Sequence, residues 1–331
     1  MVSRTTGVRT IWISSRSPRI PRVANPELSS PEQSNPEQSN PEQPNPEQPN
    51  PEQPDTRQSG ADQPDTDSSK VQHSQPHPML GVQRSGPVVV ITLDAPQRRN
   101  CQVPSLWAAL AEVGEALDPS VRVVLVRAEG PSFSAGLDRA MLTPQGASGE
   151  PSILALAAGA AGGLEDAIEQ FQRGFSIWAQ VPAITIAVVQ GHAIGAGFQL
   201  ALACDLRVVA DDVAFAMRET SLGLVPDLAG TSPLVRAVGY ARALEICATG
   251  RFVGAQEAVA IGLATVTVPR EQLDATAREL ADAILNAPQA AVRELKPLLR
   301  SAFGASAADQ LRAEREAQAR LLTAMVAGPG K

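Results

Sequence analysis

Lysine is scarce in this chain of 331 residues: only Lys70, Lys296 and Lys331 occur, so arginine carries most of the positive charge. Histidine is as rare. His73 and His77 fall before the first clear apolar strand, and His192 stands alone in a loop, so a nucleophile–His–acid triad has no base to be built on. The three cysteines, Cys101, Cys204 and Cys247, are odd in number and lack the spacing of metal ligands. Cys204 and Cys247 lie in apolar helical patterns, where a free cysteine fills core space. Such usage suits a reducing, cytoplasmic setting. No apolar run reaches membrane-spanning length. The formal net charge of -7 gives no footprint for a nucleic-acid partner.

The first residues differ in kind from the rest. Residues 1–26 carry five arginines and no acid, faintly like a transit peptide but without an apolar secretion core. A pentapeptide then repeats: PEQSN at Pro31 and Pro36, PEQPN at Pro41 and Pro46, PEQPD at Pro51. Proline at this frequency removes backbone donors, and there is little to bury. The expected division is a disordered Pro-rich tail over residues 1–79 and one domain over 80–331. A partner-binding spacer, or a true start at Met79, are the alternatives for the tail.

Residues 182–209, PAITIAVVQGHAIGAGFQLALACDLRVV, organise the domain. Ile184–Val189 is an apolar, β-branched run of strand length, as expected for a strand buried on both faces. A small-residue turn, Gly195-Ala196-Gly197, follows and opens an Ala/Leu-rich helix. The first N–H groups of a helix lack internal partners and carry the positive end of its dipole. Small residues let a ligand reach them. A second such turn, Ala135-Gly136 within PSFSAGLDRAM, follows a buried strand at residues 121–126. Two turns of this kind can each supply one N–H to a single oxygen that gains charge.

The motifs FSAGLD and IAVVQGHAIGAGFQLALACDLRV, followed by FAMRETSLGLVPDLAGTSPL and EICATGRFVGAQEAVAIGLATVTVP, resemble the crotonase superfamily, the enoyl-CoA hydratase/isomerase family. The resemblance covers roughly residues 82–300. It implies an α/β fold of the ClpP/crotonase-like type, a spiral of ββα units with a C-terminal helical region. It also implies an acyl-CoA thioester substrate with no cofactor beyond the CoA that the substrate carries, and a homotrimer or dimer of trimers. By the same resemblance the N–H groups of Leu137 and Ala196 form the oxyanion hole. Arg98 or Arg99 would face the CoA phosphates, and Ala135, Gly136, Asp138 and Gly195 would line the CoA and substrate path. Asp138 also reads as a structural N-cap.

Elsewhere periodicity predicts helices over residues 103–117 and 165–180, several shorter elements, and three terminal helices, the middle one kinked or broken at Pro297. Residues 143–164, rich in Gly, Ala, Ser and Pro, read as an unassigned wall of the acyl pocket. Phe175 and Trp178 are read as core, with contact to the acyl chain as the alternative.

The catalytic residues implied are Glu219, Asp227 and Gln199. Family hydratases use two glutamates, and here the first is Gln199, which hydrogen-bonds but exchanges no proton near neutrality. Double-bond isomerisation is therefore favoured, with hydration as the alternative and a non-catalytic acyl-CoA binding protein or a protein-interaction module as readings from other classes. Gln199 is expected to face the pocket, and Gln199→Glu to raise hydration. Salt bridges to Arg218 or Arg251 are the structural alternative for Glu219, and a turn role is the alternative for Asp227.

Overall fold

The computed structural model describes residues 71–147, 149–159 and 163–327. The Arg-rich start and the proline repeat lie outside them. The fold begins with three strands, β1 (Gln72–His77), β2 (Leu80–Ser85) and β3 (Val88–Leu93). They are followed by α1 (Pro104–Glu115) and β4 (Val123–Ala128). Next come α2 (Ile153–Gly159), α3 (Leu164–Gln180), β5 (Ile184–Val189) and a short β6 (His192–Ile194). The helix α4 (Ala196–Ala203) leads to β7 (Leu206–Ala210) and β8 (Ala214–Ala216). After α5 (Thr231–Val238) and α6 (Tyr240–Thr249) come β9 (Val253–Gly254), α7 (Ala255–Ala260) and β10 (Val266–Val268). The helices α8 (Leu273–Asn286), α9 (Gln289–Ser301) and α10 (Ala307–Ala327) close the chain's described part.

Seven strands form one sheet in the order β1-β2-β3-β4-β5-β7-β10, and β6-β8-β9 form a second. The first three strands pair antiparallel, and from β3 onward the large sheet is parallel. Its central strands are β-branched on both faces because both faces are covered. On β4, Val124 and Val126 join the main core with α1, α3 and α4, whereas Val123 and Leu125 join a second core with Ile186, Val188, Val208 and the apolar stripe of α8. This two-sided burial is the α/β architecture with a C-terminal helical region expected from the sequence.

Two expectations need correction, and one segment left open is filled in. The folded part reaches back to Gln72, not to residue 80: β1 pairs with β2 although it is polar and exposed, because the ladder is made by backbone groups and needs no apolar side chain. Among residues 143–164, Ile153–Gly159 is helical, its alanines supplying propensity where periodicity is weak. Pro297 does not break α9, which continues through it to Ser301. The preceding Lys296 is buried and tied to the carbonyls of Trp178 and Ala183, so tertiary bonds hold the segment.

Candidate active site

After β4 the chain runs beside β6. The N–H of Phe133 donates to Gln190 O (2.8 Å), that of Ser134 to His192 O (2.9 Å), and that of Ile194 to Ser134 O (3.0 Å). This short parallel ladder brings the two small-residue turns together. Gly136 sits at φ 86°, and a Cβ there would lie 2.5 Å from Ile194 O and 3.6 Å from Ala196 N. Only glycine combines that backbone conformation with that approach.

The backbone donors around the turn are nearly all engaged. Ala135 N donates to Arg99 O (2.9 Å), Gly136 N to Ser134 Oγ (3.1 Å) and Asp138 N to Gln102 O (2.8 Å). The N–H of Leu137 is passed over, with no acceptor among the described residues. The same holds for Ala196 at the first turn of α4, while Gly195 N is spent on Ala216 O (2.9 Å). At the other end of α4, the buried Arg207 donates to Ala201 O (3.3 Å) and Cys204 O (2.8 Å), which satisfies the carbonyl end. The two free N–H groups border one cavity of about 310 Å³.

Glu219 and Asp227 border the same cavity. Glu219 Oε1 accepts from Gln199 Nε2 (2.8 Å), and Glu219 Oε2 is buried with no partner among the described residues. Burial pushes the Glu219 pKa up, the nearby charge of Asp227 adds to this, and the Gln199 amide opposes it. Burial also raises Asp227. The Asp227 loop is anchored by Gln172 of α3, whose Nε2 donates to Asp227 O (2.8 Å). A carboxylate whose pKa is raised by burial is a stronger base in its ionised form, which suits it to proton transfer.

Gln199 does not face the cavity. It is 1% exposed, and its Oε1 accepts from Leu228 N (2.9 Å) and Gly230 N (3.3 Å). The correction has a physical cause: those buried N–H groups need an acceptor, and the amide reaches them from α4. Asp138 is also spent structurally. It caps the turn Arg139–Leu142 by accepting from Ala140 N (3.0 Å) and pairs with Arg98, and it does not border the cavity. Ala135, Gly136 and Gly195 do border it. Arg99 is exposed at the adjoining loop, with no side-chain partner among the described residues.

The structural alternative for Glu219 is not what the chain adopts. Arg251 pairs with Glu245 and Glu257, and Arg218 donates to Gly250 O (3.1 Å). His192 is exposed, edge-on to Phe252. Sequence reasoning missed the aromatic wall, Trp107 and Phe171. It considered Phe175 and Trp178, which are sealed in the core at 0% exposure. Phe171 lies one turn earlier on the same stripe of α3, and periodicity gives a face without giving depth along it. Among the described residues no cluster of His, Cys, Asp and Glu is arranged to hold a metal, and no helix is long and apolar enough to cross a membrane.

Comparison with known proteins agrees with this fold. A family model described as Enoyl-CoA hydratase/isomerase matches residues 83–328. A Thermobifida fusca YX protein described as an enoyl-CoA hydratase, solved in complex with CoA, is 42% identical with a TM-score of 0.71, covering 76% of this chain and 95% of that one. The same description is given to a T. fusca structure in complex with acetoacetyl-CoA, which is 43% identical with a TM-score of 0.71 over 74% and 96% of the two chains. A carnitinyl-CoA dehydratase of Salmonella enteritidis PT4 is 33% identical over 228 residues, 67% of this chain and 80% of its own length.

Proposed function

Because this chain belongs to the enoyl-CoA hydratase/isomerase family, with the crotonase fold, we propose that it moves the double bond of an enoyl-CoA thioester. The thioester oxygen accepts the N–H groups of Leu137 and Ala196. Ionised Glu219 then takes a proton from the carbon next to the carbonyl of a 3-enoyl-CoA. The C–H electron pair enters the conjugated enolate, whose charge rests on the oxygen held by the two N–H groups. The same carboxyl returns the proton to the γ-carbon, and the double bond comes to lie between the α- and β-carbons. Each oxyanion donor is worth ~3 kcal/mol of barrier. Asp227 shares the cavity as a second proton carrier for longer conjugated chains. Arg99 meets the CoA phosphates outside the cavity, beside the Ala135 backbone. Protein groups and the CoA thioester suffice for these steps.

The observation that supports this reading is Glu219, with an unpartnered Oε2, bordering the cavity that Leu137 and Ala196 also line, with Gln199 turned away. A 1,3-proton shift needs one mobile carboxyl, and that is what Glu219 offers. Hydration or dehydration is the second reading. It is favoured by a second carboxylate, Asp227, in the same cavity, and by relatives described as hydratases and a dehydratase.

Wild type, Glu219→Gln and Asp227→Asn are to be assayed with 3-enoyl-CoA, 2,4-dienoyl-CoA and crotonyl-CoA. Isomerisation of the 3-enoyl-CoA should fall ~10²-fold or more in Glu219→Gln, the usual scale for a general acid–base group. Wild-type turnover unaffected by either substitution would refute the mechanism. Hydration of crotonyl-CoA without isomerisation would favour the second reading.

A further inference from the structure

We propose that Gln199 is a positioning residue: its amide, locked by the backbone N–H groups of Leu228 and Gly230, anchors Glu219 through Oε1 and holds the carboxylate in its proton-accepting orientation. This rests on the reading of Glu219 as the proton carrier.

An amide has one accepting and one donating side. The accepting side of Gln199 is taken by Leu228 N at 2.9 Å and Gly230 N at 3.3 Å. Reversal would set an NH2 against two N–H donors and a carbonyl oxygen against a carboxylate, at a residue that is 1% exposed. The orientation is therefore fixed, and Nε2 must donate to Glu219 Oε1, at 2.8 Å. That hydrogen bond stabilises charge on Oε1 and leaves it the less basic oxygen. Oε2 is buried with no partner among the described residues. The carboxyl is thus split into an anchored oxygen and an unpartnered one.

The same amide joins three pieces of chain. Gln199 comes from α4, whose first turn carries the Ala196 N–H. Glu219 opens the turn Glu219–Leu222, and Leu228 and Gly230 hold the loop bearing Asp227. The other groups that act on Glu219 are few. Asp227 lies on the following loop and Cys247 on α6, near enough for the Glu219 charge to act on its thiol. The guanidinium of Arg218 is directed to Gly250 O, and Arg139 borders the cavity from the turn after Asp138.

A carboxylate at position 199 would act in the opposite sense. The N–H groups of Leu228 and Gly230 would stabilise its ionised form. Two carboxylates at hydrogen-bond distance would then share one proton, held largely on Glu219 and lost only at higher pH. Glutamate at 199 would therefore move the pH at which Glu219 becomes a free base upward.

The test is titration of the Glu219 carboxyl by NMR in protein carrying 13C-labelled glutamate, with Glu219→Gln to assign the signal and no substrate present. Relative to wild type, Gln199→Glu should raise the Glu219 midpoint by about one unit or more. Gln199→Met, which removes the donor without adding charge, should raise it by less. The acidic limb of kcat against pH with trans-3-hexenoyl-CoA should move up in step, with activity recovered at alkaline pH. An unchanged midpoint in both variants overturns the proposal, and so does a uniform loss of rate with an unshifted pH profile. If Gln199→Glu does not fold, the Gln199→Met midpoint decides. A shifted midpoint in a protein whose wild type turns over no enoyl-CoA supports the positioning role and counts against the isomerase reading.

Discussion

The ammonium nitrogen of Lys296, on α9, lies 2.8 Å from Asp205 Oδ2 at the end of α4. Lys296 is 7% exposed, and it also donates to Ala183 O (2.8 Å) and Trp178 O (3.2 Å). Asp205 Oδ2 accepts in turn from the N–H and hydroxyl of Thr185 at the start of β5 (both 2.9 Å). One of the chain's three lysines thus ties a terminal helix to the strand and helix that carry the active-site turn. Lys296→Met leaves the carboxylate half-buried without its cation. Removing one partner of such a pair costs about 3–5 kcal/mol. Urea unfolding should show a loss of this size, and a loss under 1 kcal/mol would show that the pair is dispensable.

Gly136→Ala tests the oxyanion turn. The added methyl meets Ile194 O at 2.5 Å in a left-handed backbone. The turn must shift, taking the Leu137 N–H out of line. A fall in kcat of ~10²–10³ is expected, the scale for one lost oxyanion donor. Wild-type kcat in a folded variant would place the oxyanion elsewhere.

The pH dependence of stability follows from the two raised carboxyls. Each binds its proton more tightly when folded than when unfolded. Stability therefore falls as pH rises from the unfolded pKa through the folded one, and the deficit persists above it. Glu219→Gln and Asp227→Asn remove the buried charge. Their Tm relative to wild type should rise as pH climbs through the ordinary carboxyl range and beyond it, and at the alkaline end the variants should be the more stable. A Tm difference that does not change with pH would mean that neither group is perturbed.

The correction at the start of the fold gives a further prediction. His77 Nδ1 accepts from Met79 N (3.1 Å), so its Nε2 carries the proton and donates to Ser105 Oγ (2.9 Å) on α1. Ser105 Oγ donates to Glu150. A chain beginning at Met79 loses this link and the β1–β2 ladder, at about 0.5–1.5 kcal/mol per hydrogen bond. Its Tm should lie below that of a chain beginning at Val71, by roughly 2–4 °C for each kcal/mol lost. Equal melting temperatures would make β1 energetically idle.

These cases show what the sequence could carry. The run Ile184–Val189 and the turn into α4 were legible because a β-branched stretch, a cluster of small residues and an Ala/Leu helix each leave a local signature. The three-residue strand His192–Ile194 was not, because it is too short to show a period. Glu219 and Asp227 were found through the motif around them. The direction of Gln199 was hidden, because the N–H groups that donate to its Oε1 stand 29 and 31 residues further on and only the folded loop presents them. Depth was hidden too: Phe171 and Phe175 share a stripe, yet one borders the cavity and the other is sealed.

The position of β1 at the outer edge of the seven-stranded sheet has a consequence for self-association. An exposed edge is a template on which a foreign strand can add. This one reads QHSQPH, departs from regular register between Ser74 and His77, and includes Pro76, which has no N–H to offer. An incoming strand would meet a gap in the donor row and a polar face with little to bury against. The sheet is thus terminated by chemistry as well as by chain connectivity. Trimming the chain past His77 would uncover β2, whose six residues contain no proline, and would open the molecule to edge-to-edge aggregation.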